Sequence, residues 1–483
     1  MRHRKDLSRR DSLPAFQPAD SHLQSRRLGI RCAAASSGNQ NPSSSGASPS
    51  DPGLAGRAIV VVTLVAFSLV LCNADRAIMS VAILPLAKSR GWGESVAGIV
   101  QSSFLWGYLF TPVLGGALAD KLGGRQVLAA GILLWSAATL LTPWAANHSL
   151  TALLTTRAVM GFGEGVALPC MNNLMARWVG KSARARAVGL CMAGFHVGSM
   201  AGLLLAPPLM GTSMGVGGPF YIFGVLGFVW LAAWLAFVPD RAPLVPTSGV
   251  AGQEKVSVGS SIDAISGRKT EDAKQKPSSR LPPFGLLLSK APTWAIIVAN
   301  SVNNWGYFIL LSWMPLYFSQ VLKADLRQAA SFAALPWAVM AAAGYMAAVI
   351  ADSLASKGFS VTAIRKIMQS IGNVGPAIAI FVMLSARTPT AASLWLTTAL
   401  GLSAFTQAGF LVNYQDIGPR YAGVLHGLSN TGGTLAGIAG TASTGYLVER
   451  TGSWRLPLLL TCALYLVSTV IWNVFATGER VFD

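Results

Sequence analysis

The sequence predicts an all-α membrane protein of twelve transmembrane helices arranged as two six-helix bundles. Three observations carry that reading. Of the 483 residues, 52% are hydrophobic and only 12% are charged, against about 25% charged in an ordinary soluble domain. A bilayer-spanning helix needs about 20 mostly apolar residues, and twelve such windows lie between Arg57 and Phe475. The windows fall into two sets of six on either side of a polar stretch over residues 240–290. Together they argue against a water-soluble enzyme.

Taken in order, residues 1–56 form a polar tail. Its first 50 positions carry eleven Ser and eight Arg or Lys and contain no apolar core segment, which excludes a secretory signal peptide. The tail resembles a plastid transit peptide, and Ile30-Arg31-Cys32-Ala33 is similar to the sites at which such peptides are cut. Apolar windows near 58–86, 95–119, 127–146, 150–177, 185–209 and 218–238 make an N-terminal bundle over 57–239. The segment 240–290, with its run from Arg268 to Lys276, is too polar to bury a core and is expected to be a flexible linker. Windows near 291–320, 328–351, 361–385, 390–412, 419–447 and 455–476 make the C-terminal bundle over 291–478, followed by a short tail, 479–483.

Charge placement sets the expected topology. The net charge of +18 on a soluble chain would suggest nucleic acid. Here eighteen of the 37 basic residues lie in the even-numbered connections and only seven in the odd-numbered ones. Basic residues near helix ends stay on the non-translocated side, so both termini and the central linker are expected on that face, and nucleic acid is not an expected partner. The five cysteines show no metal-ligand spacing, and Cys72, Cys170, Cys191 and Cys462 fall in apolar windows; neither a disulfide nor a metal is expected.

The two halves echo each other. Ala119-Asp120 recurs as Ala351-Asp352, and Arg186, Gly189, His196 and Gly198 recur as Arg420, Gly423, Asn430 and Gly432. Parallel repeats joined by a loop place substrate sites at the bilayer midplane between the halves, which points to a transporter.

Gly116-x-x-x-Asp120-Lys121-x-Gly123-Gly124-Arg125 resembles the loop motif of the major facilitator superfamily. Asn73-Ala74-Asp75-Arg76, the run Arg157 to Gly165, Asn303-Asn304-Trp305-Gly306 and Gln415 to Gly423 resemble its anion:cation symporter family. That family includes vesicular glutamate transporters, sialin and sodium-phosphate cotransporters, and the C-terminal run Ser468 to Arg480 is similar to the plant plastid phosphate and ascorbate subgroup. The resemblance covers nearly the whole chain from Arg57 onward, the linker apart. It implies a major facilitator fold and a secondary active carrier of small anions. Inorganic phosphate coupled to sodium or protons is the leading reading, in the inner envelope or thylakoid membrane of a chloroplast. Ascorbate or another organic anion is the alternative, and a non-transporting receptor on a carrier scaffold a distant one. Asn303 stands where the glutamate branch carries Arg, which argues against a vesicular glutamate carrier.

Independently of family, four ionisable side chains interrupt apolar helices: Asp75, Arg76, Arg157 and Glu164. Each costs about 2.5–3.5 kcal/mol at a helix centre and needs a partner, water or substrate. Arg157 and Glu164, seven apart, return to nearly one helix face and are expected to look into one cavity. A planar guanidinium suits carboxylate or phosphate oxygens, so Arg157 and then Arg76 are the expected anion ligands. Glu164 and Asp75 are the expected cation-coupling acids. The plainer reading pairs Glu164 with Arg157 and Asp75 with Arg76 as structural ion pairs. Neighbouring residues on a helix point too far apart for the second pair.

His196, Asn303, Asn304 and Asn430 can supply neutral hydrogen bonds to a substrate, and Gln101 is a further polar candidate. Trp106, Tyr108, Trp305 and Tyr307 are expected to wall the cavity, chiefly by packing. Gly161, Gly163 and Gly165 are expected to be close-packing positions. By resemblance Asp120, Lys121 and Arg125 form a gating charge relay. Prolines 112, 169, 207, 208, 315, 336 and 376 mark possible bends. The sequence contains no HExxH, GxSxG or P-loop motif, so no enzymatic chemistry and no cofactor is expected beyond the coupling ion. The expected partners are a small anion and the lipid bilayer, with a monomer as the expected state.

Overall fold

A computed structural model describes residues 52–239 and 284–482. The expected transit peptide and most of the expected linker lie outside the described residues. Every regular element among the described residues is helical. The first bundle runs α1 (Pro52–Arg90), α2 (Glu94–Tyr108), α3 (Thr111–Leu122), α4 (Gly124–His148), α5 (Leu150–Glu164), α6 (Ala167–Trp178), α7 (Lys181–Met210) and α8 (Gly218–Phe237). The second runs α9 (Phe284–Leu288), α10 (Ala291–Gln320), α11 (Leu326–Ser356), α12 (Val361–Met383), α13 (Pro389–Ser403), α14 (Phe410–Ile417), α15 (Ala422–Thr451) and α16 (Arg455–Phe475).

Three membrane passes are interrupted: α2 with α3, α5 with α6, and α13 with α14. Pro112 lies in the first turn of α3 and Pro169 in the first turn of α6, where a missing backbone N–H is tolerated. These two prolines restart helices, whereas Pro207, Pro208, Pro315, Pro336 and Pro376 lie within continuous ones. The turn from α3 to α4 is made at Gly123, φ +92°, a conformation closed to most side chains.

Among the described residues nine helical spans are both long and apolar enough to cross a membrane. The passes that fall short of that standard are α5–α6, α10 and α15. They hold Arg157 and Glu164, the asparagines of residues 300–304, and a run of glycines with Asn430. The apolarity lost there is the polarity of the interior.

Close helix contact explains those glycines. In α7, Gly194, Gly198 and Gly202 recur every fourth residue against α1, and a Cβ on each would come within 2.7, 2.3 and 2.6 Å of the carbonyl oxygens of Ala66, Val70 and Ala74. This is small-residue helix packing in its tightest form. On α5, a Cβ at Gly161 would meet the carbonyl oxygen of Phe104 on α2, so these two backbones touch beside the charged cluster.

The duplication is visible in equivalent bonds. Trp234 Nε1 donates to the carbonyl of Arg125 at 3.1 Å in the first half, and Trp472 Nε1 to that of Arg365 at 3.2 Å in the second. Both tryptophans are fully buried.

The halves are held together at the end where α2 and α16 begin and α10 and α15 finish. Glu449 Oε2 accepts from the backbone N–H of Ser95 at 2.7 Å, capping in trans the start of α2, whose own N-cap is Gly93. Gln320 donates to Glu94 Oε1 at 3.0 Å and accepts from Trp454 Nε1 at 3.1 Å. A cavity of about 310 Å³, lined in part by Lys88, Trp92, Glu94 and Gln320, adjoins this latch.

Two segment ends differ from the sequence expectation. Helix α1 begins at Pro52, and α9 occupies part of the stretch expected to be linker. Leu287 is wholly buried there against the second bundle, in a cluster with Ala295, Trp472 and Phe482; that apolar contact fixes the end of an otherwise polar segment. The short C-terminal tail is also bound, since the N–H groups of Val481 and Phe482 donate to the carbonyl of Ile417.

Candidate functional site

All four intramembrane charges lie in the first bundle, and all are buried: Asp75 on α1 is 2% exposed, Arg76 6%, and Arg157 and Glu164 on α5 1% each. They sit in one cluster but pair differently from either expectation. Arg76 Nε donates to Glu164 Oε2 at 2.5 Å. Asp75 Oδ2 accepts from the Thr139 hydroxyl on α4 at 3.2 Å, consistent with adjacent residues of a helix pointing apart. Arg157 joins no salt bridge among the described residues. Its NH1 donates to the thioether of Met160 at 3.1 Å, and its Nε makes no hydrogen bond. Glu164 Oε1 and Asp75 Oδ1 are likewise buried without a hydrogen-bond partner. Glu164 and Arg157 therefore do not pair with each other, although they share a helix face: α1 inserts Arg76 beside Glu164.

Aromatic rings lie against both guanidiniums. Arg76 Cζ lies 4.8 Å from the ring centroid of Tyr108, 5.3 Å from that of Phe104 and 5.6 Å from that of Phe195. Arg157 Cζ lies 5.5 Å from the same Phe104 centroid. Both guanidiniums therefore lie within cation–π reach of one ring, that of Phe104. Of the expected wall aromatics, Tyr108 lies against Arg76, whereas Trp106 is 42% exposed.

One turn before Arg76, Asn73 joins the halves. Its Nδ2 donates to Ser199 Oγ at 2.5 Å, to the Phe195 carbonyl at 2.7 Å and to the Tyr307 hydroxyl of α10 at 3.4 Å. Tyr307 packs edge-on against Trp337 at 5.0 Å. His196, on α7 next to Phe195, is buried with an unpartnered Nδ1 and an edge contact to the Phe195 ring. Gln101 is buried on α2 with its Nε2 unpartnered.

The second bundle contributes uncharged groups. Asn303 Oδ1 accepts from the Thr406 hydroxyl at 3.4 Å. Asn304 turns back on its own helix, donating to the carbonyl and side-chain oxygens of Asn300 at 3.0 and 2.8 Å. Asn430 is half-buried on α15, with its backbone carbonyl accepting from Thr434.

Asp120, Lys121 and Arg125 lie apart from the charged cluster, around the α3–α4 turn. Asp120 Oδ1 accepts from Asn173 Nδ2 of α6 at 2.9 Å, and Asn173 Oδ1 in turn accepts from the N–H of Gly124 at 3.3 Å. Arg125 Nε donates to the carbonyl of Val238 at 2.7 Å. Lys121 is exposed. In the second half, Arg365 pairs with Asp416 at 2.7 Å, with Asn413 beside it.

Sequence reasoning missed Asn173, Arg365, Asp416, Ser199, Thr139 and Phe104. The repeat offered a signal for two of them: Asn173 corresponds to Asn413 as Arg125 does to Arg365. Phe104 gave none, because an aromatic residue in an apolar helix looks like any other.

Comparison with known proteins agrees with this architecture. Residues 65–441 match the Major Facilitator Superfamily. The chain is 52% identical over 88% of its length to "Probable anion transporter 4, chloroplastic" of Arabidopsis thaliana, covering 79% of that protein. It is 46% identical to the Arabidopsis "Ascorbate transporter, chloroplastic" and 45% identical to the Arabidopsis "Sodium-dependent phosphate transport protein 1, chloroplastic", over 88% of the chain in both cases and 76% and 80% of those proteins. The crystal structure of a bacterial homolog of the human lysosomal transporter Spinster, inward-facing and occupied, superposes with a TM-score of 0.67 at 15% identity, covering 86% of this chain and 96% of that one; it shares the fold. The Arabidopsis relatives are chloroplastic transporters by name, and the chain belongs to the major facilitator superfamily.

Proposed function

We propose that the protein is a secondary active carrier of small anions in a chloroplast membrane, and that it moves inorganic phosphate with sodium or protons. The observation that carries this reading is Arg157. A guanidinium that is 99% buried, with a thioether and a ring face as neighbours and one N–H unmet, is a costly arrangement for stability alone. It is well suited to an anion that surrenders its hydration on entry. Arg76 is the second ligand, available once Glu164 releases it.

Charge balance supplies the coupling. Arg76, Arg157, Asp75 and Glu164 together are formally neutral, so a bare anion entering this buried cluster would leave it negative. A sodium ion or proton at Glu164 or Asp75 keeps the loaded site neutral, and at Glu164 it frees Arg76 for substrate. His196, Asn303, Asn304 and Asn430 contribute neutral contacts from both bundles. Asp120, Lys121 and Arg125 act at the gate as the halves rock about the midplane site.

The names of the relatives support both a phosphate and an ascorbate reading. A second reading, ascorbate or another organic anion, draws on the uncharged Asn303–Thr406 pair of the second bundle, which suits hydroxyl groups. Uptake of labelled phosphate into proteoliposomes under sodium, pH and voltage gradients, with ascorbate and glutamate as competitors, separates the readings. Saturable phosphate accumulation driven by one gradient is expected. Ascorbate uptake without phosphate uptake would select the second reading, and no uptake of either would reject both.

A further inference from the structure

Arg76 and Arg157 are both buried beside one ring, where like charges repel, and among the described residues only Arg76 of the two forms a salt bridge. Something must hold Arg157 in place. Among the described residues, the group that both guanidiniums share is the ring of Phe104, with Cζ–centroid distances of 5.3 and 5.5 Å. Phe104 is 3% exposed. Its backbone is fixed by the touching contact with Gly161, one turn beyond Arg157 on α5. Its ring meets Phe308 of α10 edge-on, with centroids 5.8 Å apart and planes at 61°. Phe104, Leu105 and Phe308 form a small buried cluster of their own at the boundary of the halves.

The face of an aromatic ring carries negative electrostatic potential and attracts a cation within about 6 Å, most strongly where water is absent. A ring face can hold a guanidinium without consuming its N–H donors, which a carboxylate would occupy. The second bundle meets the same ring in a T-shaped contact through Phe308.

We propose that Phe104 is a positioning residue of the anion site: its ring holds the guanidiniums of Arg76 and Arg157 for a shared anion and links them, through Phe308, to the second bundle. This rests on the reading of Arg157 as the anion ligand. Phe104 acts through the arginines and does not itself bind the substrate.

The test replaces Phe104 in the full chain with mono-, di- and trifluorophenylalanine, which keep the shape while progressively weakening the ring quadrupole. Equilibrium binding of labelled inorganic phosphate, and of ascorbate, is measured alongside Arg157→Gln. Affinity should fall stepwise with fluorination, by about 3- to 30-fold across the series, the range set by cation–π attraction, while the melting temperature of the protein stays level. A packing role would leave affinity flat across the series. Phe104→Leu should weaken binding at least as much as the trifluorinated ring, and Phe104→Tyr should restore it. If Arg157→Gln abolishes binding while fluorination changes nothing, the role of Phe104 is overturned and the anion site stands. If Arg157→Gln still binds, or the wild-type protein binds neither anion, the site reading fails and this proposal with it.

Discussion

Arg76 and Glu164, 88 residues apart in sequence, form a buried ion pair with Nε and Oε2 at 2.5 Å. The partner of Glu164 is thus supplied by another helix rather than by Arg157 seven residues before it. Among the described residues Arg157 is the cation of the buried cluster that joins no salt bridge, and the division of labour in the site follows from it.

Removing Arg157 should cost function and not stability. Arg157→Gln takes away a buried charge without an ionic partner, so its melting temperature should equal or exceed that of the wild type, while anion uptake falls at least 100-fold. Thermal unfolding in detergent, read beside uptake, checks both. A large loss of stability with residual uptake would make Arg157 a structural residue.

The paired residues should behave in the opposite way. Arg76→Met or Glu164→Leu alone leaves one buried charge uncompensated and should destabilise by about 3–5 kcal/mol. The double variant should recover much of that loss, and the coupling is read from a double-mutant cycle on the melting curves. Additive losses would show that the pair contributes no coupling. In uptake, Glu164→Gln should remove dependence on the cation gradient, and an unchanged dependence would reject its coupling role.

The latch between halves makes a prediction about accessibility. Glu449→Ala deletes a carboxylate that accepts from the Ser95 N–H across the halves. A cysteine introduced at Ala97, buried beside the latch cavity, should then react faster with a membrane-impermeant thiol reagent, in a background lacking the native cysteines. An unchanged rate would show that Glu449 does not hold the halves closed.

Helix contact gives a fourth test. A Cβ at Gly198 would lie 2.3 Å from the Val70 carbonyl oxygen and one at Gly202 2.6 Å from that of Ala74. Gly198→Ala and Gly202→Ala should each lower the yield of folded protein, whereas Gly189→Ala, with open space around it, should be neutral. Size-exclusion profiles compare them directly.

The all-helical architecture and its two bundles were legible in the sequence because a bilayer imposes length and apolarity on each pass. The four charges were legible for the same reason: Asp75, Arg76, Arg157 and Glu164 stand out in an apolar helix as they would not on a soluble surface. Their pairing was not. Periodicity places Glu164 and Arg157 on one face, but which residue of α1 enters between the helices is set by the packing of Gly194, Gly198 and Gly202 on that helix, and by the touching backbones at Gly161 and Phe104. The spacing of those α7 glycines was available in the sequence as a sign of close approach. The role of Asn73 in joining Ser199 to Tyr307, and the ring shared by two arginines, arise between segments far apart in the chain and leave no local pattern. Asp120 was marked by its motif, yet its partner, Asn173, becomes visible only when α3 and α6 meet.

The central claim is that Arg157 binds the transported anion, and equilibrium binding of labelled phosphate to purified wild-type protein and to Arg157→Gln tests it most directly. The account predicts saturable binding by the wild type, weakened by competing anions, and no measurable binding by a variant that remains folded and monodisperse. Equal phosphate affinity in the two proteins would contradict it.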